Sequence, residues 1–208
     1  QPAARLCAVT VTPGSHEQVG LVRRTLALLG RGDLAVGSRV PDRERGHVSE
    51  WHCEFLGDFP GAKPDGPGHE VLAAALRAHP GATLVTGAAL QNPRFLLERH
   101  EGVRIARWVA QGGFAGDSVV PEEHRLEKFR GRETCETYNF GGDPKGAELL
   151  LNTPRVSRRE LVSKNVCHGV IYDRAIESYK KTTELARELG DKTLLALSTG
   201  MIGQALVL

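Results

Sequence analysis

The stretch RLCAVTVTPGSHEQVGLVRRTLALLGRGDLAVG, residues 5–37, decides the fold. Residues 5–12 are apolar and β-branched and stop at Pro13-Gly14, which reads as a strand and a turn. Ser15 with Gln18 three positions later makes a capping box. Val19, Val22, Leu26 and Leu29 then recur at helical spacing, and Gly30 is a good stop. Arg31-Gly32-Asp33 turns the chain into a second short strand, Leu34 to Gly37. Strand, helix, strand is the unit from which parallel sheets are built.

The same alternation continues outward. Residues 38–68 are a long excursion rich in Gly, Pro and charge, of the kind that is functional or mobile in compact domains. Helix is expected from Glu70 to His79, strand from Ala82 to Gly87, helix from Asn92-Pro93 to His100, and strand from Val103 to Ala110. A second polar excursion covers 114–135. Asp143-Pro144 is a cap residue followed by a first-turn proline, and that helix runs to Asn152. After it, two local signals conflict. Ser157 and Glu160 fit a capping box, yet Leu161 to Cys167 reads as a strand. Helices are expected over 174–189 and 192–206. The sum is one three-layer α/β domain over 1–208 with a mostly parallel sheet. Sites in such sheets lie at the carboxyl ends of strands. The polar tips there are Thr12 to Ser15, Thr86 to Asn92, Gln111 to Gly113, and Asn165 to His168.

Composition excludes several function classes. The chain has 208 residues, enough for a real core, with 40% hydrophobic and 25% charged residues and a net charge of +2. So small a charge, with 5% aromatics, argues against nucleic-acid binding. The apolar runs fall short of a membrane span. Cys7, Cys53, Cys135 and Cys167 form no Cys-x-x-Cys pair, so reduced, buried thiols and a cytoplasmic location are expected.

Four clusters carry groups capable of chemistry. Gly112, Gly113 and Gly116 lack the spacing of a phosphate loop and read as a tight turn. His47, Glu50, His52 and Glu54 crowd together, but the two histidines are five apart and diverge, so a solvated loop is expected there. Glu122-Glu123-His124 reads as an exposed loop. Cys167 and His168 are neighbours on an expected strand and would point to opposite faces, so they make no nucleophile–base pair. More informative is ETYNFGGDP, residues 136–144, which sets a carboxylate, an amide and a helix cap together. An asparagine offers both donor and acceptor to a sugar diol; equally, Asn139 and Asp143 could serve only as turn and cap.

These segments resemble, in order, those of the inosine–uridine-preferring nucleoside hydrolases. LCAVTVTPGS is similar to the family's second strand and Thr-Val-x-Gly-Asn turn. ATLVTGAALQNP is similar to its Gly-Pro-Leu-Thr-Asn strand end, and ARWVAQGG to its Met-Gly-Gly strand. TYNFGGDPKGAELLL resembles Glu-Phe-Asn-x-x-x-Asp-Pro-x-Ala-Ala and keeps the Asn-to-Asp spacing as Asn139 and Asp143. NVCHGV resembles Asp-Val-Thr-His.

The resemblance implies a Rossmann-like α/β enzyme that hydrolyses the N-glycosidic bond of ribonucleosides with a bound calcium ion, in purine and pyrimidine salvage. It also implies a small-molecule partner, and the unpaired sheet edge that a missing amino-terminal strand would leave makes a homo-oligomer the expectation. Carried over by position, Asn139 binds ribose. Ser15 stands where the family has a ribose-contacting Asn. Thr137 stands at a ribose-binding Glu, for which Glu136, one place off, substitutes if the loop shifts. The backbone carbonyl of Gln91 falls where one would ligate calcium, and Asp143 caps a helix. The family's amino-terminal Asp-x-Asp-x-x-x-Asp-Asp cluster and its later His-Asp-Pro segment have no counterpart here. The resemblance therefore implies a central portion, incomplete at both ends. This chain alone is expected to bind calcium poorly and to turn over little. The alternatives are a degenerate domain that holds a nucleoside or ribose without cleaving it, and a purely structural interaction domain.

Overall fold

A computed structural model describes residues 5–40, 42, 48–49, 52–53 and 57–169. The helices expected over 174–189 and 192–206 lie outside these residues, as do His47, Glu50 and Glu54. The chain divides into two compact units. One takes in Gln1–Gly14, Ala35–Pro41 and Pro64–Val170; the other includes Ser15–Leu34 and Asp42–Lys63.

The second unit carries helix α1, His16–Leu28. Its start is fixed by the capping box read from the sequence. Ser15 Oγ accepts from Gln18 N at 3.2 Å, and Ser15 N donates to Gln18 Oε1 at 3.1 Å. Two of the helix's orphan donors are thereby satisfied reciprocally. Val19 and Leu26 are buried, and Gly30 ends the segment at φ +66°.

The first unit holds all the described strands, in two three-stranded parallel sheets. In one, β1 (Ala8–Val11), β2 (Ala35–Ser38) and β3 (Gly66–Pro67) lie in that order. Ala8 registers with Ala35 and Gly37 with Gly66. In the other, β5 (Ile105–Gln111) lies between β4 (Thr83–Thr86) and β6 (Val156–Val162). Helices α2 (Gly68–Ala78), α3 (Gln91–Arg99) and α5 (Pro144–Asn152) alternate with these strands. The α/β class with parallel pairing is as the sequence reads; the division into two sheets is not visible in it. None of the helices among the described residues is long and apolar enough to cross a membrane. All four cysteines are free thiols, but none is buried as expected: Cys53 is exposed, and Cys7, Cys135 and Cys167 are half-buried.

The core of this unit gathers Leu72, Leu76, Leu90, Leu96, Leu97, Ile105, Trp108, Leu150 and Val156. Trp108 is fully buried at the centre of β5, and its indole N–H donates to Thr86 Oγ1 of β4 at 3.0 Å. A buried indole needs such a partner, because an unpaired donor keeps its full desolvation cost.

The conflict after Asn152 is resolved in favour of a strand, but one that lies earlier than expected and keeps only Leu161 and Val162 of the expected stretch. Ser157 and Glu160 lie inside β6, and the chain leaves the sheet at Ser163 to form α6, Lys164–Gly169. The strand is made by its pairing with β5, Ile105 with Val156 through Gln111 with Val162, rather than by its own pattern. Its polar residues are used. Arg107 donates to Glu160 at 2.9 and 2.5 Å, and Arg158 pairs with the same carboxylate at 2.6 Å. Arg159 donates to Leu150 O at 2.9 Å and also to Thr153 O, satisfying carbonyls at the end of α5. Among the described residues β6 pairs on one side only, and charges along a strand in that position discourage recruitment of further strands. Leu161, Val162 and Val166, whose apolar run suggested a strand, are exposed.

Candidate functional site at the strand ends

β5 ends at Gln111, and Gly112-Gly113 turns the chain sharply. Gly113 sits at φ +76°, a conformation that favours glycine. Gly112 is required by packing, since a Cβ there would land on the Phe140 ring. That ring in turn stacks on Trp108 with centroids 6.0 Å apart. The glycines are thus a tight turn held under an aromatic ring, as their spacing suggests.

Phe140 belongs to a single helical turn, α4 (Tyr138–Gly141), which also carries Asn139. Asn139 is 6% exposed. Its side-chain N–H groups donate to Gln111 O at 2.8 Å and to Gln111 Oε1. With both donors spent on Gln111, the amide is fixed in its plane, and Oδ1 remains as an acceptor. The strand end and the loop are further tied where Gly113 N donates to Thr137 Oγ1 at 3.3 Å and Lys164 N donates to Gly113 O at 2.9 Å.

Other polar groups close around this point. Gln111 Nε2 donates to Cys167 Sγ at 3.3 Å. The Lys164 ammonium donates to Glu136 O at 2.8 Å and to Cys135 Sγ at 3.3 Å. Buried Asn165 accepts from Ala115 N at 3.1 Å. From the β4 side, Gln91 Nε2 donates to Gly142 O at 2.8 Å, while Gln91 Oε1 is buried without a partner. Asn92 donates to Val11 O and Thr12 Oγ1, both at 3.1 Å, and so holds the carboxyl end of β1.

The residues singled out from the sequence fare differently. Asn139 lies at the strand end, buried and anchored. Glu136 is two residues before α4 and exposed, with its backbone carbonyl rather than its carboxylate receiving Lys164. Ser15 is fully buried in the other unit, and its hydroxyl caps α1. Gln91 is the first residue of α3, so its carbonyl points along the helix axis. Asp143 occupies the cap position of α5 but makes no side-chain cap bond. Its carboxylate instead grips Arg94 Nε at 2.9 and 3.2 Å, the one place where the expected cap role is corrected.

Cys167 and His168 lie on a helix, not on a strand, and still part company. Cys167 meets Gln111, whereas His168 Nδ1 is 2.6 Å from Lys128 Nζ and its ring meets Phe129 edge-on at 5.4 Å. Burial and then the Lys128 and Lys164 charges hold the His168 imidazole below the ordinary histidine value. Glu122, Glu123 and His124 form an exposed 3-10 turn, as read. His52 bonds Ser49 Oγ at 2.8 Å. Sequence reading missed Lys164 and Arg94, whose partners lie 29 and 49 residues away with no local pattern to mark them.

The donor set decides what can bind. Amides, a hydroxyl, thiols and one ammonium converge here. Calcium takes six to eight oxygens, several from carboxylates, at roughly 2.3–2.6 Å. The described residues at these strand ends do not fit that ion. With the Asn139 amide donors engaged by Gln111, what that side chain offers is its Oδ1 as a hydrogen-bond acceptor.

No family model and no curated protein sequence matches this chain. Among solved structures, it is similar to the crystal structure of an inosine-uridine preferring nucleoside hydrolase from Bacillus anthracis, with a TM-score of 0.64 and 14% identity. The match covers 97% of this chain and 68% of that one. At that identity the likeness is one of fold, an α/β architecture shared with a nucleoside hydrolase.

Proposed function

We propose that this chain is a nucleoside-hydrolase-like domain that binds the ribosyl group of a ribonucleoside at the carboxyl end of β5. The chain alone cleaves the N-glycosidic bond slowly or not at all. The observation that carries the reading is Asn139, buried at the strand end and fixed by two donated bonds to Gln111 so that Oδ1 is left to accept from a hydroxyl. The fold likeness to a nucleoside hydrolase supports the ligand class.

Binding here needs no metal. A pre-set amide loses little orientational freedom when it takes up a hydroxyl. Hydrolysis asks for more: a water made nucleophilic and a leaving base given a proton. The Lys164 ammonium, already engaged by Glu136 O and Cys135, is a donor and supplies no base for that water.

Two measurements on the full 208-residue chain test this. Ribonucleosides should raise the melting temperature, because a ligand that binds only the folded state stabilises it. Ribose release should stay near background with calcium added. Robust calcium-dependent release would make the chain an active hydrolase. Failure of every ribonucleoside and of ribose to shift melting would leave the fold without this function.

A further inference from the structure

We propose that His69, Glu70 and His100 form a binding site for a divalent cation of the zinc class, in exchange with the guanidinium of Arg99. The three residues lie in a different part of the first unit from Asn139, and their ligation does not depend on ribosyl binding. His69 and Glu70 open α2, and His100 follows the last residue of α3. The three ligand atoms lie within 4.8 Å of one another, the one such group of three among the described residues.

The spacing is what marks the cluster. One Glu70 oxygen is 3.6 Å from His69 Nε2 and the other is 3.7 Å from His100 Nε2. Both are too long for hydrogen bonds. Four ligands held tetrahedrally at about 2.0–2.1 Å from zinc sit roughly 3.3 Å apart. His100 Nε2 is buried and has no hydrogen-bond partner; with Nδ1 accepting from Arg77 it carries the ring proton in this arrangement, a polar group that is costly to bury unpaired. The two rings are positioned by packing: their centroids are 5.7 Å apart, and Phe95 meets His69 edge-on at 6.2 Å. Glu70 is 56% exposed and opens the group to solvent. Two imidazoles and a carboxylate suit a borderline metal such as zinc, nickel or cobalt better than calcium or magnesium.

Two cations guard the site. Arg99 Nη1 is 3.3 Å from His69 Nε2, and Arg77 Nη2 is 3.3 Å from His100 Nδ1. Ligation through Nε2 of both rings requires Arg99 to leave, and requires His100 Nδ1 to carry the proton, which removes the Arg77 contact. The Phe95 face, 5.1 Å from the Arg99 guanidinium carbon, can keep that group close after it moves.

The guard predicts a pattern that a nonspecific ion would not give. Zinc, titrated calorimetrically into the full chain after chelator treatment and dialysis, should bind one per chain. His100→Gln and the solvent-facing Glu70→Gln should each weaken binding by about tenfold or more. Arg99→Gln should tighten it by roughly tenfold through removal of a nearby positive charge. Cobalt should give visible bands of nitrogen–oxygen coordination without thiolate charge transfer. Circular dichroism checks that each variant is folded. Binding unchanged in both Glu70→Gln and His100→Gln, or a thiolate spectrum, would place the ion elsewhere and overturn the proposal. So would absence of binding in both the native chain and Arg99→Gln.

Discussion

Asp143→Asn is the substitution whose cost follows most directly from the geometry. Arg94 on α3 and Asp143 at the head of α5 are 19% and 7% exposed in their side chains. One guanidinium nitrogen is shared by both carboxylate oxygens, at 2.9 and 3.2 Å. A second binds Glu98 at 3.0 and 3.2 Å, and the Phe95 ring lies 4.4 Å from the guanidinium carbon. The Asp143 bond is the main reason that the Arg94 proton is held more tightly than usual. Hydrogen bonds to charged groups are worth about 1.5–3 kcal/mol, against about 1 for neutral ones. Asp143→Asn keeps the shape and one acceptor, so its cost is about 1–2 kcal/mol. Arg94→Met strands a buried carboxylate and should cost about 3–5 kcal/mol. The asymmetry follows from Glu98, which still neutralises Arg94 when Asp143 is changed but does nothing for Asp143 when Arg94 is lost. Urea denaturation of both single variants and the double variant gives the coupling, expected at about 1–3 kcal/mol. Additive losses, or an Asp143→Asn cost below about 0.5 kcal/mol, would refute the reasoning.

Three further outcomes follow from the same contacts. Ser15→Ala removes the hydroxyl that caps α1 and should cost about 1 kcal/mol in urea midpoint analysis, with Ser15→Asp recovering part of it. Gly112→Ala puts a methyl into the Phe140 ring and should cost about 1–3 kcal/mol, relieved by Phe140→Leu. His168 is held below its ordinary value in the folded chain, so the unfolded chain takes up its proton first. Its contribution is therefore complete above about pH 6.5 and is lost as pH falls below that. The pH dependence of stability over that range should flatten in His168→Gln; an unchanged slope would exclude His168 as its source.

What the sequence made legible is what local chemistry encodes. Residues 5–37 announce strand, cap, helix and strand through alternation, the Ser15–Gln18 pair and Gly30, and each is found in place. Asn139 is legible only in part: its amide suits a sugar diol, a turn role explains it equally well, and the bonds to Gln111 that bury and orient it come from 28 residues away. β6 was misread because an edge strand is specified by its neighbour: Val156–Val162 carries three charged residues and is organised by β5. Asp143 looked like a cap because sequence shows the cap position but not Arg94, which arrives from 49 residues away. His69, Glu70 and His100 were silent for the same reason, the ligands being 30 residues apart with no recurring spacing.

The most direct test of the central claim is calorimetric titration of inosine and 2′,3′-dideoxyinosine into the full chain and into Asn139→Ala. The ribosyl reading predicts that inosine binds and that loss of the two hydroxyls weakens binding about tenfold or more. It also predicts that Asn139→Ala, with its fold verified by circular dichroism, no longer distinguishes the two ligands. Equal affinity for both nucleosides in the native chain, or no binding of either, would contradict it.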